Sequence, residues 1–287
     1  FCVAALTLAS SPAVAQTVRI ELISPLATDP QITGWTANHA VAYSTDLPPA
    51  QRQGKLCLFL HGLGGTGAGA QELLRTAARA GYHAVGLTYA NDWAPITLCS
   101  NDSACAERVR REIVEGVDHS PLITVTRPNS VENRLLRLLD TLQSLHPDEN
   151  WAQFKNADQI RWDRVALWGH SQGGGNASII AKDHVVDRLC TSAPAADGGP
   201  GAPAVWWPSH STPASATFGF CHAQDQLIAK TTFWTAWGMA AFGPARDVAT
   251  TAAPYGATHM LSTSLAPAIA GQFHNSVVID NVTPRNS

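Results

Sequence analysis

Short apolar runs alternate with stretches of helical period along most of the chain, and this alternation sets the first expectation about its fold. Residues 56–60 (Leu-Cys-Leu-Phe-Leu) are apolar at every position, the pattern of a strand buried on both faces. Residues 18–23 and 39–43 read as two opening strands, 83–89 as the next after 56–60, and 164–168, 189–192 and 217–221 as further ones. Between them, 69–80 has helical spacing and stops at Gly81. A clearer helix follows a cap at Asn129 or Ser130, with Val131, Leu135, Leu138, Leu139, Leu142 and Leu145 on one stripe, and His146-Pro147 ends it. Residues 107–117, 177–186, 233–241 and 265–272 are expected to be helical, 247–251 to be a last strand, and 276–280 a strand or an extended tail. Strands and helices in this order predict βαβ units, hence an α/β domain with a mostly parallel sheet.

The rhythm breaks at 91–129, which carries Cys99 and Cys105 around a polar loop, a charged helix and a Pro128-Asn129 turn. It reads as an insertion over the C-terminal edge of the sheet, where functional loops gather. A second irregular stretch, rich in Gly, Pro and Trp, covers 197–213. No linker divides the chain, so 16–287 is expected to be one domain, for which 287 residues suffice.

Composition narrows the function. A net charge of -3 with no run of Lys or Arg leaves no footprint for nucleic acid or an anionic membrane, and favours a neutral or weakly polar substrate. The apolar run at 1–9 falls short of the roughly 20 residues that span a bilayer. Ser10-Ser11-Pro12 and the A-x-A site Ala13-Val14-Ala15 follow it. Residues 1–15 are therefore expected to be what remains of a signal peptide, with the mature chain starting near Gln16 in a secreted or periplasmic setting. Such a compartment permits disulfides. Cys99 and Cys105 are expected to close a small ring, Cys190 and Cys221 to bridge if their strands are neighbours, and Cys57 to be a buried thiol. No Cys or His spacing resembles a metal site.

The chemistry centres on Gly169-His170-Ser171-Gln172-Gly173, a G-x-S-x-G string with an apolar strand before it and a small-residue helix after it. A nucleophilic serine needs a sharp strand-to-helix turn that lifts Oγ above the sheet, and flanking glycines let the backbone approach itself. The helix N-terminus then faces the developing oxyanion. The bland alternative is a serine in a harmless Gly-rich turn. A partner loop, His61-Gly62-Leu63-Gly64-Gly65, follows the 56–60 strand, so the Leu63 and Gln172 N–H groups are the expected oxyanion donors. The same loop continues as Gly62-Leu63-Gly64-Gly65-Thr66-Gly67, a G-x-G-x-x-G dinucleotide fingerprint with Asp92 after the next strand. Export from the NAD pool and the unexplained elbow weigh against that reading.

The His61-Gly62 loop, the Ser171 elbow and the strand–helix alternation resemble the α/β-hydrolase superfamily over about residues 40–275, its extracytoplasmic esterase, lipase and polyester-depolymerase branches above all. The resemblance implies an eight-stranded sheet and the chain order serine, acid, histidine. It points to Asp225 as the acid, with Asp197 as the alternative. His259 is the base it implies, on a loop after the last strand, with His274 as the rival. His170 and His222 are too tied to the elbow and the strand end to serve easily. The implied function is a serine carboxylic-ester hydrolase working through an acyl-enzyme, with no cofactor and no metal. Its partners would be a small-molecule or polymeric ester, with no nucleic acid and no membrane span, and the chain would act as a monomer. Trp93, Trp206 and Trp207 are candidate substrate contacts, or simply loop packing. An acyltransferase or peptidase using the same residues, or a non-catalytic binding protein on this scaffold, remains the alternative.

Overall fold

A computed structural model describes residues 16–194, 197–199, 202–225, 227 and 230–284; the expected signal-peptide remnant at 1–15 lies outside the described residues. Nine strands form one sheet: β1 (Val18–Ile23), β2 (His39–Ser44), β3 (Leu56–Leu60), β4 (His83–Leu87), β5 (Val165–His170), β6 (Arg188–Ser192), β7 (Thr217–His222), β8 (Arg246–Asp247) and β9 (Met260–Thr263). Their spatial order is β1-β2-β4-β3-β5-β6-β7-β9-β8. β1 pairs antiparallel with β2, and β2 with β4. Every other neighbour is parallel. The fold is α/β, with a large, mostly parallel central sheet flanked by helices and one strand more than the eight implied.

Side-chain alternation divides the core into two layers. Leu56, Leu58 and Leu60 of β3 face the same way as Val85, Leu87, Val165, Leu167 and Leu189, while Cys57 and Phe59 join Ala84 and Ala166 on the other face. Helices α2 (Ser103–Glu115), α3 (Val131–Leu145) and α4 (Gln172–Asp183) cover the first face. Helix α1 (Gln71–Arg79) covers the second with Leu74, Ala77 and Ala78. A short α5 (Lys230–Ala236) packs Phe233 against Trp207. Ser130 caps α3, its Oγ accepting from Asn133 N–H at 3.2 Å, and Asp102 caps α2 through the N–H groups of Ala104 and Cys105. No helix among the described residues is long and apolar enough to cross a membrane.

The segment 91–129 is tied down rather than detached. Cys99 and Cys105 are disulfide-bonded with Cα atoms 5.6 Å apart. The buried Glu112 carboxylate accepts from the N–H groups of His119 (3.2 Å), Ser120 (3.0 Å) and Val125 (2.9 Å), which fixes the loop after α2. Cys190 and Cys221 do not bridge. Cys190 pairs in register with Phe218, three residues before Cys221, so the two thiols are offset by about 10 Å along the strands and point to opposite faces. Cys57 is a buried thiol, as expected.

The C-terminal third departs most from expectation. The strand at 247–251 shrinks to Arg246–Asp247, and Met260–Thr263 supplies the longer strand beside β7. Residues 265–272 form no helix, and 276–280 are wound into turns rather than extended: the Val278 and Ile279 N–H groups both donate to Asn275 O. A cavity of about 230 Å³ remains between this segment, α1 and the apolar side chains of Trp168, Phe220 and Leu261.

One close approach fixes the turn that leads into α1. A Cβ on Gly67 would lie 2.0 Å from Gly86 O in β4, so only glycine lets the 67–70 turn sit on the sheet. Gly67 N–H also donates to Thr88 Oγ1 at 2.9 Å. Gly67→Ala is expected to cost about 1–3 kcal/mol or more through main-chain overpacking. Gly69→Ala, whose new methyl would meet only Ile279 at 4.0 Å, should stay within about 1 kcal/mol of the parent. Urea midpoints of the two variants check this.

Candidate active site

Strand β5 ends at His170, and α4 begins at Gln172, so the whole turn falls on Ser171. Its φ of 53° and ψ of -120° lie in a region a non-glycine residue occupies only when its surroundings enforce it. Ser171 N–H donates to Ser192 O on β6 (3.0 Å), and Ser171 O accepts from Gly174 N–H (2.9 Å). The glycines around it are required for contact. A Cβ on Gly173 would lie 2.1 Å from Leu60 O, and one on Gly169 would lie 2.3 Å from Gly173 O. The elbow is thereby pressed onto the end of β3, where the His61–Gly65 loop begins.

That loop is itself held from several sides. His61 O accepts from Tyr89 Oη–H (2.7 Å) and Asn91 Nδ2 (2.9 Å), and Gly64 N–H donates to Asn91 O (3.1 Å). A Cβ on Gly62 would come within 3.1 Å of both His170 Nδ1 and Ser171 Cβ, so the loop and the serine are in contact. The Leu63 N–H donates to no acceptor among the described residues, and Gln172 N–H lies in the first turn of α4, where intrahelical acceptors are lacking. Of the two expected oxyanion donors, Gln172 thus follows Ser171 directly, and Leu63 follows the glycine that touches it.

Asp225 sits three residues beyond the end of β7. Its Oδ1 accepts from Leu227 N–H at 2.9 Å, and its Oδ2 accepts from His274 Nδ1 at 2.8 Å. Burial pushes this carboxyl up, but the hydrogen bond and charge of His274, the Leu227 N–H and Lys230 outweigh burial and hold it below its ordinary value. With Nδ1 donating, Nε2 of His274 is the basic nitrogen. The main-chain carbonyl of His274 accepts from His170 Nε2 (3.1 Å), and the two rings stand 5.0 Å apart, which brings His274 against the residue that precedes the serine.

His259 lies elsewhere. Its Nδ1 donates to Thr217 O (2.9 Å) at the start of β7, and its ring is held against Phe242 (3.9 Å) and Phe218 (4.1 Å). The strand from Thr217 to His222 runs roughly 17 Å before the chain reaches Asp225, so His259 occupies the opposite edge of the sheet. The structure joins His274, the rival, to Asp225 instead. Asp197 is likewise occupied: it forms a fully buried pair with Arg110 of α2, with Nε–Oδ2 and Nη2–Oδ1 both 2.5 Å. Trp206 and Trp207 are buried in the core, stacked edge-on to one another, and are loop packing rather than exposed contacts. Trp93 is half-buried against Trp35, whose Nε1 donates to Asp92 Oδ2 at 2.8 Å.

Arg110 is the residue the sequence reading missed. It stands among Ala106, Val109 and Ile113 on the apolar stripe of α2, and a charge in such a stripe is the signal that would have found it. Its Nη1 donates to Gln172 O (3.0 Å) and Asn176 Oδ1 (2.9 Å), and its Nη2 to Gln172 Oε1 (2.9 Å). Asn176 in turn donates to Tyr89 Oη (3.1 Å), so one buried chain of hydrogen bonds runs from Asp197 through the elbow helix to His61 O. A Cβ on Gly175 would collide with the guanidinium at 2.2 Å, so this glycine makes room for Arg110. Among the described residues no group of three or more His, Cys, Asp or Glu is placed to hold a metal ion.

Removing one member of that buried pair leaves the other charge uncompensated. Arg110→Met should therefore cost about 3–5 kcal/mol, with the double variant Arg110→Met/Asp197→Leu recovering much of it, as read from urea midpoints.

Buried histidines weaken the fold in acid, and three of them are displaced furthest. Burial pushes His39 and His170 down to about 3 and His61 to about 4 from an ordinary 6.5, with Arg134 adding to it at His39 and His61, and His274 at His170. Each is neutral in the fold, and each takes up a proton when the unfolded chain is below pH 6.5. Stability is complete above that pH and falls as pH drops towards 4, by up to about 1.4 kcal/mol per pH unit for each histidine. Urea midpoints between pH 7 and 5 should show this slope, and His39→Asn should flatten it; a flat profile would mean the rings are not held neutral.

No family model matches the chain, and no curated protein does.

Proposed function

We propose that the chain is a serine carboxylic-ester hydrolase of the α/β-hydrolase type, with Ser171 as nucleophile, His274 as base and Asp225 as the acid that orients it. One observation carries the reading: the residue before a strained serine at a strand–helix turn is bonded to the main chain of a histidine whose Nδ1 is hydrogen-bonded to a buried carboxylate. In the reaction, Ser171 Oγ attacks the ester carbonyl carbon while His274 Nε2 takes its proton. The Leu63 and Gln172 N–H groups hold the oxyanion, and the positive end of α4 adds to them. His274 then protonates the leaving alcohol, an acyl-enzyme remains, and water repeats the sequence to release the acid. Asp225 stays ionised throughout.

An apolar acyl or alcohol group suits the mouth of this site. Leu63 is 49% exposed beside the oxyanion donor, and Leu227 is 73% exposed two residues after the acid. The Cys99–Cys105 bridge fits an oxidising compartment, so the reading includes a secreted or periplasmic enzyme.

Labelling with a fluorophosphonate probe and turnover of p-nitrophenyl esters test the assignment. Ser171→Ala should abolish labelling and cut turnover by about 10⁴-fold or more while the fold persists. His274→Ala should do nearly the same, and His259→Gln should leave both within a few-fold of the parent. Loss of labelling in His259→Gln with retention in His274→Ala would reverse the choice of base. A parent chain that the probe does not label would sink the hydrolase reading.

A further inference from the structure

The base His274 sits in a stretch without regular secondary structure, yet its ring must keep one place relative to Ser171. Two bonds hold the residue itself, from Asp225 and from His170. A third attachment lies six residues on. Asp280 Oδ2 accepts from Gln71 N–H at 2.7 Å, its Oδ1 from Glu72 N–H at 3.1 Å, and its own N–H donates to Gly69 O at 3.2 Å. Ala70, at the N-cap position of α1, has no side chain that can cap, so the carboxylate of a residue more than two hundred positions away serves instead. A carboxylate there satisfies two orphan N–H groups and lies at the positive end of the helix.

The place of this latch matters more than its strength. The 67–70 turn is wedged on β4 by the Gly67–Gly86 contact, and it continues directly from the His61–Gly65 loop that carries an oxyanion donor. Between His274 and Asp280 the chain is tightly wound: Ser276 N–H donates to Gln272 O (3.0 Å), Ile279 N–H to Asn275 O (2.9 Å), and Val277 and Val278 are buried. Displacement at Asp280 is therefore passed on to His274 rather than absorbed. We infer that Asp280 is a positioning residue, which locks the segment bearing the base onto the α1 turn that follows the oxyanion loop and so fixes His274 against Ser171. The inference rests on His274 being the base of the proposed hydrolase.

The full chain carries the test, as Asp280→Ala, Asp280→Asn and a control, Thr76→Gly, which weakens α1 at mid-helix and removes a bond to Glu72 O but none of the bonds that Asp280 makes. Asp280→Ala should lower kcat and the rate of fluorophosphonate labelling by about 10–100-fold, the scale of a small misplacement, with KM within about twofold. Amide exchange over 275–280 should quicken in the same variant. Asp280→Asn keeps one acceptor oxygen and should fall between Ala and the parent, and it carries the comparison if Asp280→Ala does not fold. Thr76→Gly should lower the thermal midpoint and leave kcat unchanged. Parent-like kcat and labelling in a folded Asp280→Ala, or an equal loss in Thr76→Gly, would overturn the inference. Unchanged exchange over 275–280 would overturn the latch alone, whereas a parent chain that is not labelled would overturn the hydrolase reading beneath it.

Discussion

The main chain at Gly173 lies so close to the carbonyls of Leu60 and His61 that even a methyl group there would stand 2.1 and 2.4 Å from their oxygens. This contact presses the first turn of α4 onto the end of β3, and the rest of the site follows from it. It sets the first turn of α4 and the 61–65 loop side by side, with Gly62 in contact with Ser171. It also forces the whole reversal of direction between β5 and α4 into one residue, which is why Ser171 carries a positive φ. A backbone of that kind costs on the order of 1–3 kcal/mol. The bonds from Ser171 N–H to Ser192 and from Gly174 N–H to Ser171 leave no room for relaxation without loss of both.

Behind the elbow, the protein buries an ion pair where an apolar contact would have been cheaper. Desolvating Arg110 and Asp197 is repaid only because every part of the guanidinium is engaged, by both carboxylate oxygens, Gln172 and Asn176. What the pair supplies is direction. Gln172 is gripped at its carbonyl and its side-chain oxygen. Since α2 belongs to the 91–129 segment, the segment that reads as an insertion in sequence holds the first turn of α4 in place. The same pair explains why Asp197 cannot serve a histidine: both of its oxygens are already committed.

The sheet was legible because burial on two faces leaves a strong mark. Residues 56–60 and the strand entering the elbow are apolar at nearly every position, and glycines at 169 and 173 signal main-chain contact whatever the side chains do. Helix α4 was harder to bound, since Gly173, Gly174 and Gly175 hide a helix that begins at Gln172. The histidine proposed as base was not legible. Its choice depended on which short segment forms the last long strand, and a two-residue strand at Arg246–Asp247 has too little pattern to separate from Met260–Thr263. Placing Met260 beside Gly219 puts His259 at the wrong edge of the sheet, a register no periodicity reveals.

His274 was hard to read for a further reason, which concerns how the site is built. The proposed oxyanion donors belong to the sheet edge and α4, where packing holds them. The proposed base belongs to a segment without regular secondary structure, in which Val277, Val278 and Val282 are buried, so hydrogen bonds must help to hold it. Those bonds come from Asp225, from His170 and, through the α1 cap, from Asp280, three polar residues scattered over the chain with no shared motif. The bond from His170 requires a proton on Nε2, and because burial holds the ring neutral, that proton also fixes its tautomer. The elbow therefore does more than present the proposed nucleophile. Its histidine, held neutral by burial, reaches across to the carbonyl of His274, so that the strain at Ser171 and the position of His274 are set by the same turn.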